Sequence, residues 1–302
     1  MNRNFLNVLF LVAAVLGLAS CSEDNKYEGV GLKAVSDGAY VVAYGTSTNP
    51  ANLSYIDYTS GESTTSVFAK ANGSSLGTGA NDGLVYGSKM YIVVDGSATI
   101  EVVDKTTLKS IKQIKTTDLL GTDLGTNPRH IIAGNGKIYF TTYHGIVAAV
   151  DTTTYALSNK YTVGSYPEGL IGVDHYIYVA NSDYGNGHGT ISVINVVDNT
   201  VKTSTVKGIE NPQNVFVNNN GVYVMDWGHY LSISPWTQQN AGLKKISENG
   251  DTCSLVADAT LASYYNGTFY LINAAYGASA VSYSAYNAST GKSSTLSSVS
   301  VD

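Results

Sequence analysis

The sequence predicts an all-β chain of four-stranded antiparallel blades with six repeats readable, and two landmarks with one shared period carry that prediction. The first landmark is an apolar-Tyr-apolar triplet: Ala39-Tyr40-Val41, Met90-Tyr91-Ile92, Ile138-Tyr139-Phe140, Ile177-Tyr178-Val179, Val222-Tyr223-Val224 and Phe269-Tyr270-Leu271. Its tyrosines are spaced by 51, 48, 39, 45 and 47 residues, a mean of 46. The second landmark is an apolar residue followed by Asp or a substitute: Ile56-Asp57, Val103-Asp104, Val150-Asp151, Ile194-Asn195, Ile246-Ser247 and Tyr286-Asn287, again with a mean spacing of 46. Between the landmarks run short alternating or apolar stretches bounded by Gly and Asn turns, which is how strands are written. Four strands per repeat, with no amphipathic helical periodicity anywhere, is the pattern of a β-propeller, where radial repetition leaves only short protected edges.

The first twenty residues do not belong to that pattern. Arg3 precedes an apolar run from Phe5 to Leu18, too short for a comfortable membrane span and of the length of a signal-peptide core. The run ends in Leu18-Ala19-Ser20-Cys21, which resembles the lipobox of bacterial lipoproteins. That resemblance implies cleavage before Cys21 and a diacylglyceryl group on its thiol. Ser22-Glu23-Asp24-Asn25 is similar to the acidic tract that Bacteroidota lipoproteins use for display at the cell surface. The expected division is therefore a signal over 1–20, a lipidated tether over 21–28 and the propeller over 29–302, anchored at the outer membrane through lipid alone. An acylated Cys21 leaves Cys253 without a disulfide partner, and Cys253 reads as a small buried hydrophobe.

Charge narrows the partners. Lys and Arg total 17 against 23 Asp and Glu, and only 13% of residues are charged, about half the usual 25%. The arginines are Arg3 and Arg129, and the lysines are scattered. No basic stripe exists to hold nucleic acid or an anionic membrane surface.

Blade three shows the repeat most clearly. His130 to Ala133 is a strand, Gly134-Asn135-Gly136 a turn, and Lys137 to Thr142, Ile146 to Asp151 and Ser158 to Val163 are the remaining strands. Asn127-Pro128-Arg129 with Val150-Asp151-Thr152, and Tyr166-Pro167-Glu168 with Ile177-Tyr178-Val179-Ala180-Asn181, resemble the repeats of YVTN/YncE-type propellers over roughly residues 28–302. That family is generally seven-bladed, so the chain is either six-bladed or a relative lacking one blade.

Strand order sorts the loops. Connections from the second to the third strand (B to C), and from one blade's last strand into the next blade's first (D to A), emerge on one face. The A-to-B and C-to-D turns emerge on the other. The repeated Asp and Asn open C-to-D turns and read as Asx-turns, with one carboxylate per blade too isolated to ligate metal. The B-to-C loops differ: Tyr44-Gly45, Asp95-Gly96, Tyr143-His144-Gly145, Tyr184-Gly185 with His188, Asp226-Trp227-Gly228-His229-Tyr230, and Tyr276-Gly277. The fifth loop runs through Pro235-Trp236 to Gly242 and so holds both tryptophans. Asn81-Asp82, Arg129-His130, Glu168-Gly169 and Gln213-Asn214 begin first strands on the same face. The expected ligand site is thus Tyr44, Asp82, Arg129, His130, Tyr143, His144, Glu168, Tyr184, Gln213, Asn214, Trp227, His229, Tyr230, Trp236 and Tyr276. Aromatics with polar tips on loops of a rigid scaffold suit a ligand with apolar or ring faces.

Catalytic signals are weak by comparison. Gly73-Ser74-Ser75-Leu76-Gly77 matches Gly-x-Ser-x-Gly, but it lies in a connection between blades with no helix after it to make a nucleophile elbow. The histidines lack the tight spacing of a metal site, and no cofactor motif is present. Three function classes follow. The first is a non-enzymatic surface lipoprotein that captures a ligand. Resemblance to lipid-anchored, BtuG-like propellers implies cobalamin as that ligand and a TonB-dependent outer-membrane transporter as partner, with a glycan the other ligand such aromatics serve. The second is an adhesion or scaffold module using the rim. The third is a propeller lyase or hydrolase using His130, Glu168 and His229. Fold alone does not choose among them.

Overall fold

Each repeat folds as an antiparallel sheet because its strands bury side chains on both faces, so that both parities along the tyrosine-bearing strand are apolar. A computed structural model describes residues 37–231 and 237–300, and they fall into two compact units that divide between Thr162 and Val163.

In the unit ending at Thr162, blade one contains β1 (Gly38–Ala43), β2 (Asn52–Asp57) and β3 (Ser63–Thr64). Blade two contains β4 (Ala80–Tyr86), β5 (Lys89–Val94), β6 (Thr99–Asp104) and β7 (Ser110–Lys115). Blade three contains β8 (Pro128–Gly134), β9 (Lys137–Thr142), β10 (Ile146–Asp151) and β11 (Leu157–Thr162). In these three sheets strands pair with their sequence neighbours. Blade one departs from the expected four strands: it has three among the described residues, because Tyr40 sits in its first described strand and in all other blades the tyrosine marks the second.

In the unit beginning at Val163, blade four contains β12 (Pro167–Val173), β13 (Tyr176–Asn181), β14 (Thr190–Asn195) and β15 (Thr200–Ser204). Blade five contains β16 (Pro212–Asn218), β17 (Gly221–Asp226), β20 (Gly242–Ile246) and β21 (Cys253–Ala257). Between its second and third strands it carries an extra hairpin, β18 (His229–Leu231) paired with β19 (Thr237–Gln239). Blade six contains β22 (Leu261–Tyr265), β23 (Thr268–Asn273), β24 (Ala280–Asn287) and β25 (Lys292–Ser300). The chain is a β-propeller of six blades.

Cores form between adjacent blades. Leu53, Met90, Ile92 and Val94 fill the junction of blades one and two, and Tyr91, Ile100, Phe140 and Ala148 that of two and three. Tyr178, Ile191, Val224 and Ile246 join blades four and five, and Tyr223, Leu243, Phe269 and Leu271 join five and six. Fully burying a large apolar side chain contributes about 1.5–3 kcal/mol. Among the described residues three short α-helices lie in the connections although the sequence shows no helical periodicity: α1 (Val67–Asn72), α2 (Thr116–Leu120) and α3 (Thr122–Gly125). Fewer than two turns each, they are too short to print a period, and they bury Phe68 or pack Leu119, Leu120 and Leu124 on the cores. The Gly-x-Ser-x-Gly segment follows α1, with Gly73 capping the helix in left-handed conformation (φ 73°), and runs into a strand.

The C-to-D turns are the Asx-turns expected. Asp151 Oδ1 accepts the amides of Thr153 at 2.9 Å and Thr154 at 2.7 Å, and Asp57, Asp104, Asn195 and Asn287 repeat the arrangement. The amides of Thr154 and Thr153 hold the Asp151 carboxyl below its ordinary range. Because the folded value is depressed, this stabilisation is complete above the unfolded carboxylate pKa and is lost as pH falls through the folded one. Asp151→Asn, which supplies the same acceptor oxygen, is expected to leave the neutral-pH melting temperature near wild type and to flatten its acid dependence. Asp151→Ala lowers melting at neutral pH, and thermal melts from pH 7 to pH 2 check both.

Candidate functional site

One backbone device recurs at the end of the blades that carries the aromatic loops. The amide opening the B-to-C loop donates to the carbonyl of the residue before the first strand's proline: Tyr143 to Asn127 at 3.1 Å, Ser182 to Tyr166 at 2.9 Å and Trp227 to Asn211 at 2.9 Å. At the other end, C-to-D turns bond to A-to-B turns, as Thr152 N to Gly136 O at 3.0 Å and Ala288 N to Gly267 O at 2.9 Å. Within each blade the two classes of loop therefore segregate as the strand order predicts.

In the unit ending at Thr162, the polar residues at this end clip blade two to blade three. Asp95, buried in blade two's loop, accepts Asn127 Nδ2 and Arg129 Nη1, both at 2.8 Å. The Arg129 guanidinium lies 4.6 Å from the centroid of the Tyr143 ring, a cation–π geometry. Asp82 Oδ2 accepts the Ile131 amide at 3.0 Å and meets His130 Nδ1 at 3.2 Å. Asn81 Nδ2 donates to the Arg129 carbonyl at 2.7 Å, and His144 Nε2 pairs with Thr126 Oγ1 at 2.7 Å. Tyr44 alone among the site tyrosines of this unit is well exposed, with its carbonyl held by the Ala80 amide.

The unit beginning at Val163 carries a larger constellation. Asp226 ends β17 fully buried, and its carboxylate accepts the amides of Glu210, Asn211 and Gly228, each at 2.8 Å, and Lys244 Nζ at 2.9 Å. It thereby fixes the approach to β16 against the start of the hairpin. His229 Nδ1 meets Glu210 Oε2 at 2.7 Å, and Asn240 Nδ2 donates to Glu210 Oε1 at 3.1 Å. Burial pushes the Glu210 carboxyl up, but the bonds from His229 and Asn240 and the charges of His229 and Lys244 outweigh it, leaving it below its ordinary range. The hairpin docks on blade six through Gln238: its amide side chain donates to the Trp227 carbonyl at 2.8 Å and its oxygen accepts the Tyr276 amide at 3.2 Å. Tyr230 and Tyr276 stand edge to face with centroids 6.3 Å apart.

Blade four adds a second aromatic pair. Tyr166 and Tyr184 lie 5.0 Å apart at 39°, and both hold left-handed backbone, φ 48° and 54°. Such a conformation costs a bulky residue about 1–2 kcal/mol, and it persists here because Ser182 bonds the Tyr166 carbonyl and the Tyr184 amide at once. Tyr184 is 68% exposed and Tyr276 is 61% exposed. His188, on the same loop as Tyr184, lies 3.4 Å from Asp183.

Of the predicted site residues Glu168 is internal, and several others bond within or between blades. Glu168 is buried, with 4% of its surface exposed, so it does not line an open surface. Trp227 is half-buried and donates its indole Nε1 to the Thr260 carbonyl at 2.6 Å, tying blade five to blade six. Gln213 donates to Asn211 Oδ1 at 2.7 Å, and Asn214 is half-buried where Gly169 admits it: a Cβ there would lie 1.8 Å from Asn214 Oδ1. Trp236 and Cys21 lie outside the described residues. Asp95, Asn127, Tyr166, Glu210, Gln238 and Asn240 were not in the predicted set. Only Asp95 carried a signal, its place beside the B-to-C glycine. Among the described residues no three of His, Cys, Asp and Glu gather as metal ligands. A shallow depression lies at blade five's C-to-D turn, lined by Lys245, Glu248, Thr252 and Cys253, at the opposite end of the sheet from the hairpin.

Comparison with solved structures returns the same architecture. The chain is similar to U3-55K (8% identity, TM-score 0.59, covering 88% of this chain and 79% of that one). It is also similar to the WD40 repeats of RRP9 (10%, 0.55, 88% and 78%) and to hydrazine synthase of Kuenenia stuttgartiensis (13%, 0.55, 77% and 70%). At such identities the likeness is of fold. No curated protein matches the chain. A family model, described as a domain of unknown function (DUF5074), matches residues 37–297, and the chain belongs to that family.

Proposed function

We propose that this chain is a non-enzymatic, lipid-anchored protein of the outer membrane that captures a corrinoid such as cobalamin on its loop tyrosines and passes it to a TonB-dependent transporter. One observation carries the reading: in the unit beginning at Val163, two tyrosine pairs are held at the surface, Tyr166–Tyr184 by a left-handed backbone and the Ser182 bonds, and Tyr230–Tyr276 by the Gln238 bonds. Strain kept at exposed aromatics points to function, and tyrosine offers stiff contact area with a polar tip. The lipobox-like run before Cys21 supports the anchor, and the resemblance to BtuG-like propellers supports the choice of corrinoid.

The test is calorimetric titration of the chain from Ser22 onward with cyanocobalamin. Saturable binding is expected, with Tyr276→Ala and Tyr230→Ala each weakening it about tenfold, the loss of one contact of about 1.4 kcal/mol. Absence of binding to folded protein removes the corrinoid. A glycan is then the ligand to test, favoured by the Glu210–His229–Asn240 cluster next to Tyr230, which offers hydroxyl groups both donors and acceptors.

A further inference from the structure

The hairpin of blade five is a two-stranded ribbon, and successive residues of a strand point to opposite faces of it. Tyr230 and Gln238 pair across the ribbon and meet Tyr276 of blade six. His229 therefore points the other way, and there its Nδ1 meets Glu210 Oε2 at 2.7 Å. Blade four's B-to-C loop reaches the same residue, because the Gly189 amide donates to the Glu210 carbonyl at 3.0 Å. Glu210 is thus where the loop carrying Tyr184 and His188 meets the strand carrying His229.

The bond to Glu210 also decides which nitrogen of His229 does what. Burial works against ionisation of Glu210, but the bonds from His229 and Asn240 prevail and hold its carboxyl below the ordinary range. At neutral pH it is a carboxylate, which only accepts, so Nδ1 carries the proton and a neutral His229 keeps its lone pair on Nε2. Among the described residues nothing bonds Nε2, and the side chain is 37% exposed. The carboxylate is itself braced: Asn240 Nδ2 donates to it at 3.1 Å, and the Glu210 amide is held by Asp226 Oδ2 at 2.8 Å. An imidazole fixed through one nitrogen by a braced carboxylate, with the other nitrogen free, is how proteins present histidine to a metal. One imidazole does not hold a free ion, and among the described residues no three of His, Cys, Asp and Glu gather to do so. The metal has to arrive inside the ligand.

We propose that His229 Nε2 coordinates the metal of a metal-bearing ligand; this rests on the corrinoid reading, where the metal is cobalt and the imidazole takes the axial position of a bound water. The Co–O bond breaks, a Co–N bond forms and the water leaves. Cobalt stays cobalt(III), and no proton or electron is transferred.

The test is titration of the chain from Ser22 onward with aquacobalamin, whose water exchanges, and with cyanocobalamin, whose cyanide holds that position, followed by absorption and calorimetry. Wild type is expected to move the absorption of aquacobalamin to longer wavelength, to leave that of cyanocobalamin in place, and to hold the first about tenfold more tightly, the effect of one good contact. His229→Asn is the informative variant: its Nδ2 stands where Nδ1 stood and still donates to Glu210, while Nε2 is gone. There the shift is lost and the tenfold preference disappears, whereas His188→Ala on the neighbouring loop keeps the shift. Wild type that binds aquacobalamin with unchanged absorption overturns the proposal and leaves the corrinoid reading standing. A shift that survives His229→Asn, or is lost in His188→Ala instead, does the same. Folded wild type that binds neither corrinoid removes both.

Discussion

Asp226→Ala is expected to destabilise the unit beginning at Val163 by about 3–5 kcal/mol, the range for removing one partner of a buried ion pair. The carboxylate is fully buried and satisfies three backbone amides as well as Lys244. Its loss strands a Lys244 ammonium that is itself buried and keeps only the Gly208 carbonyl, at 2.7 Å. Lys244→Met is the informative partner. There Asp226 retains three amide donors, so the loss is smaller, and the double variant Asp226→Ala/Lys244→Met recovers part of the single loss because no charge is left unpaired. Urea unfolding of the four proteins measures the cycle. A loss below about 0.5 kcal/mol for Asp226→Ala, the size of an ordinary surface change, contradicts the assignment.

Gly228→Val has the second largest expected effect and reaches the candidate site directly. Gly228 has φ 60°, and a Cβ built there lies 1.9 Å from the Gln239 carbonyl oxygen. Both obstacles are backbone, so no side-chain rearrangement relieves them. Left-handed strain of about 1–2 kcal/mol and overpacking of about 1–3 kcal/mol add to roughly 2–5 kcal/mol if the hairpin stays docked. The cheaper escape is to undock β18 and β19, which breaks the Gln238 bonds to Trp227 and Tyr276. Proteolysis between Tyr230 and Gln239 is expected to accelerate and the near-ultraviolet signal of the aromatics to change, while the blade sheets persist in the far ultraviolet. Unchanged proteolysis and an unchanged aromatic signal place the hairpin's support elsewhere.

What the sequence made legible follows from how each feature is encoded. The tyrosine triplet and the Asx residues recur because every blade solves the same problem, so strand positions in blade three agree with the structure to within two residues at each end. The Asp82–His130 and Arg129–Tyr143 contacts join residues that the sequence placed on one face as ligand-site candidates; the first clips blade two to blade three and the second lies within blade three. Burial decides between those two uses, and burial is not written in residue type. Glu210 was invisible for another reason: its partners His229 and Asn240 come from an insertion in blade five alone, so no periodicity marks them. Tyr166 was read as part of a repeat, and only its backbone conformation and its ring contact with Tyr184 set it apart.

The polar and aromatic residues of the B-to-C loops and first strands divide into blade clips and exposed contact groups, and one paired measurement tests that division: the melting temperature and cyanocobalamin affinity of Asp82→Ala beside those of Tyr276→Ala. Asp82→Ala removes the acceptor for His130 and the Ile131 amide, so it is expected to melt earlier and bind as wild type does. Tyr276→Ala removes an exposed ring and is expected to melt as wild type does and bind about tenfold more weakly, one lost contact of about 1.4 kcal/mol. Loss of affinity in Asp82→Ala at an unchanged melting temperature, with Tyr276→Ala binding normally, would contradict the account at its centre.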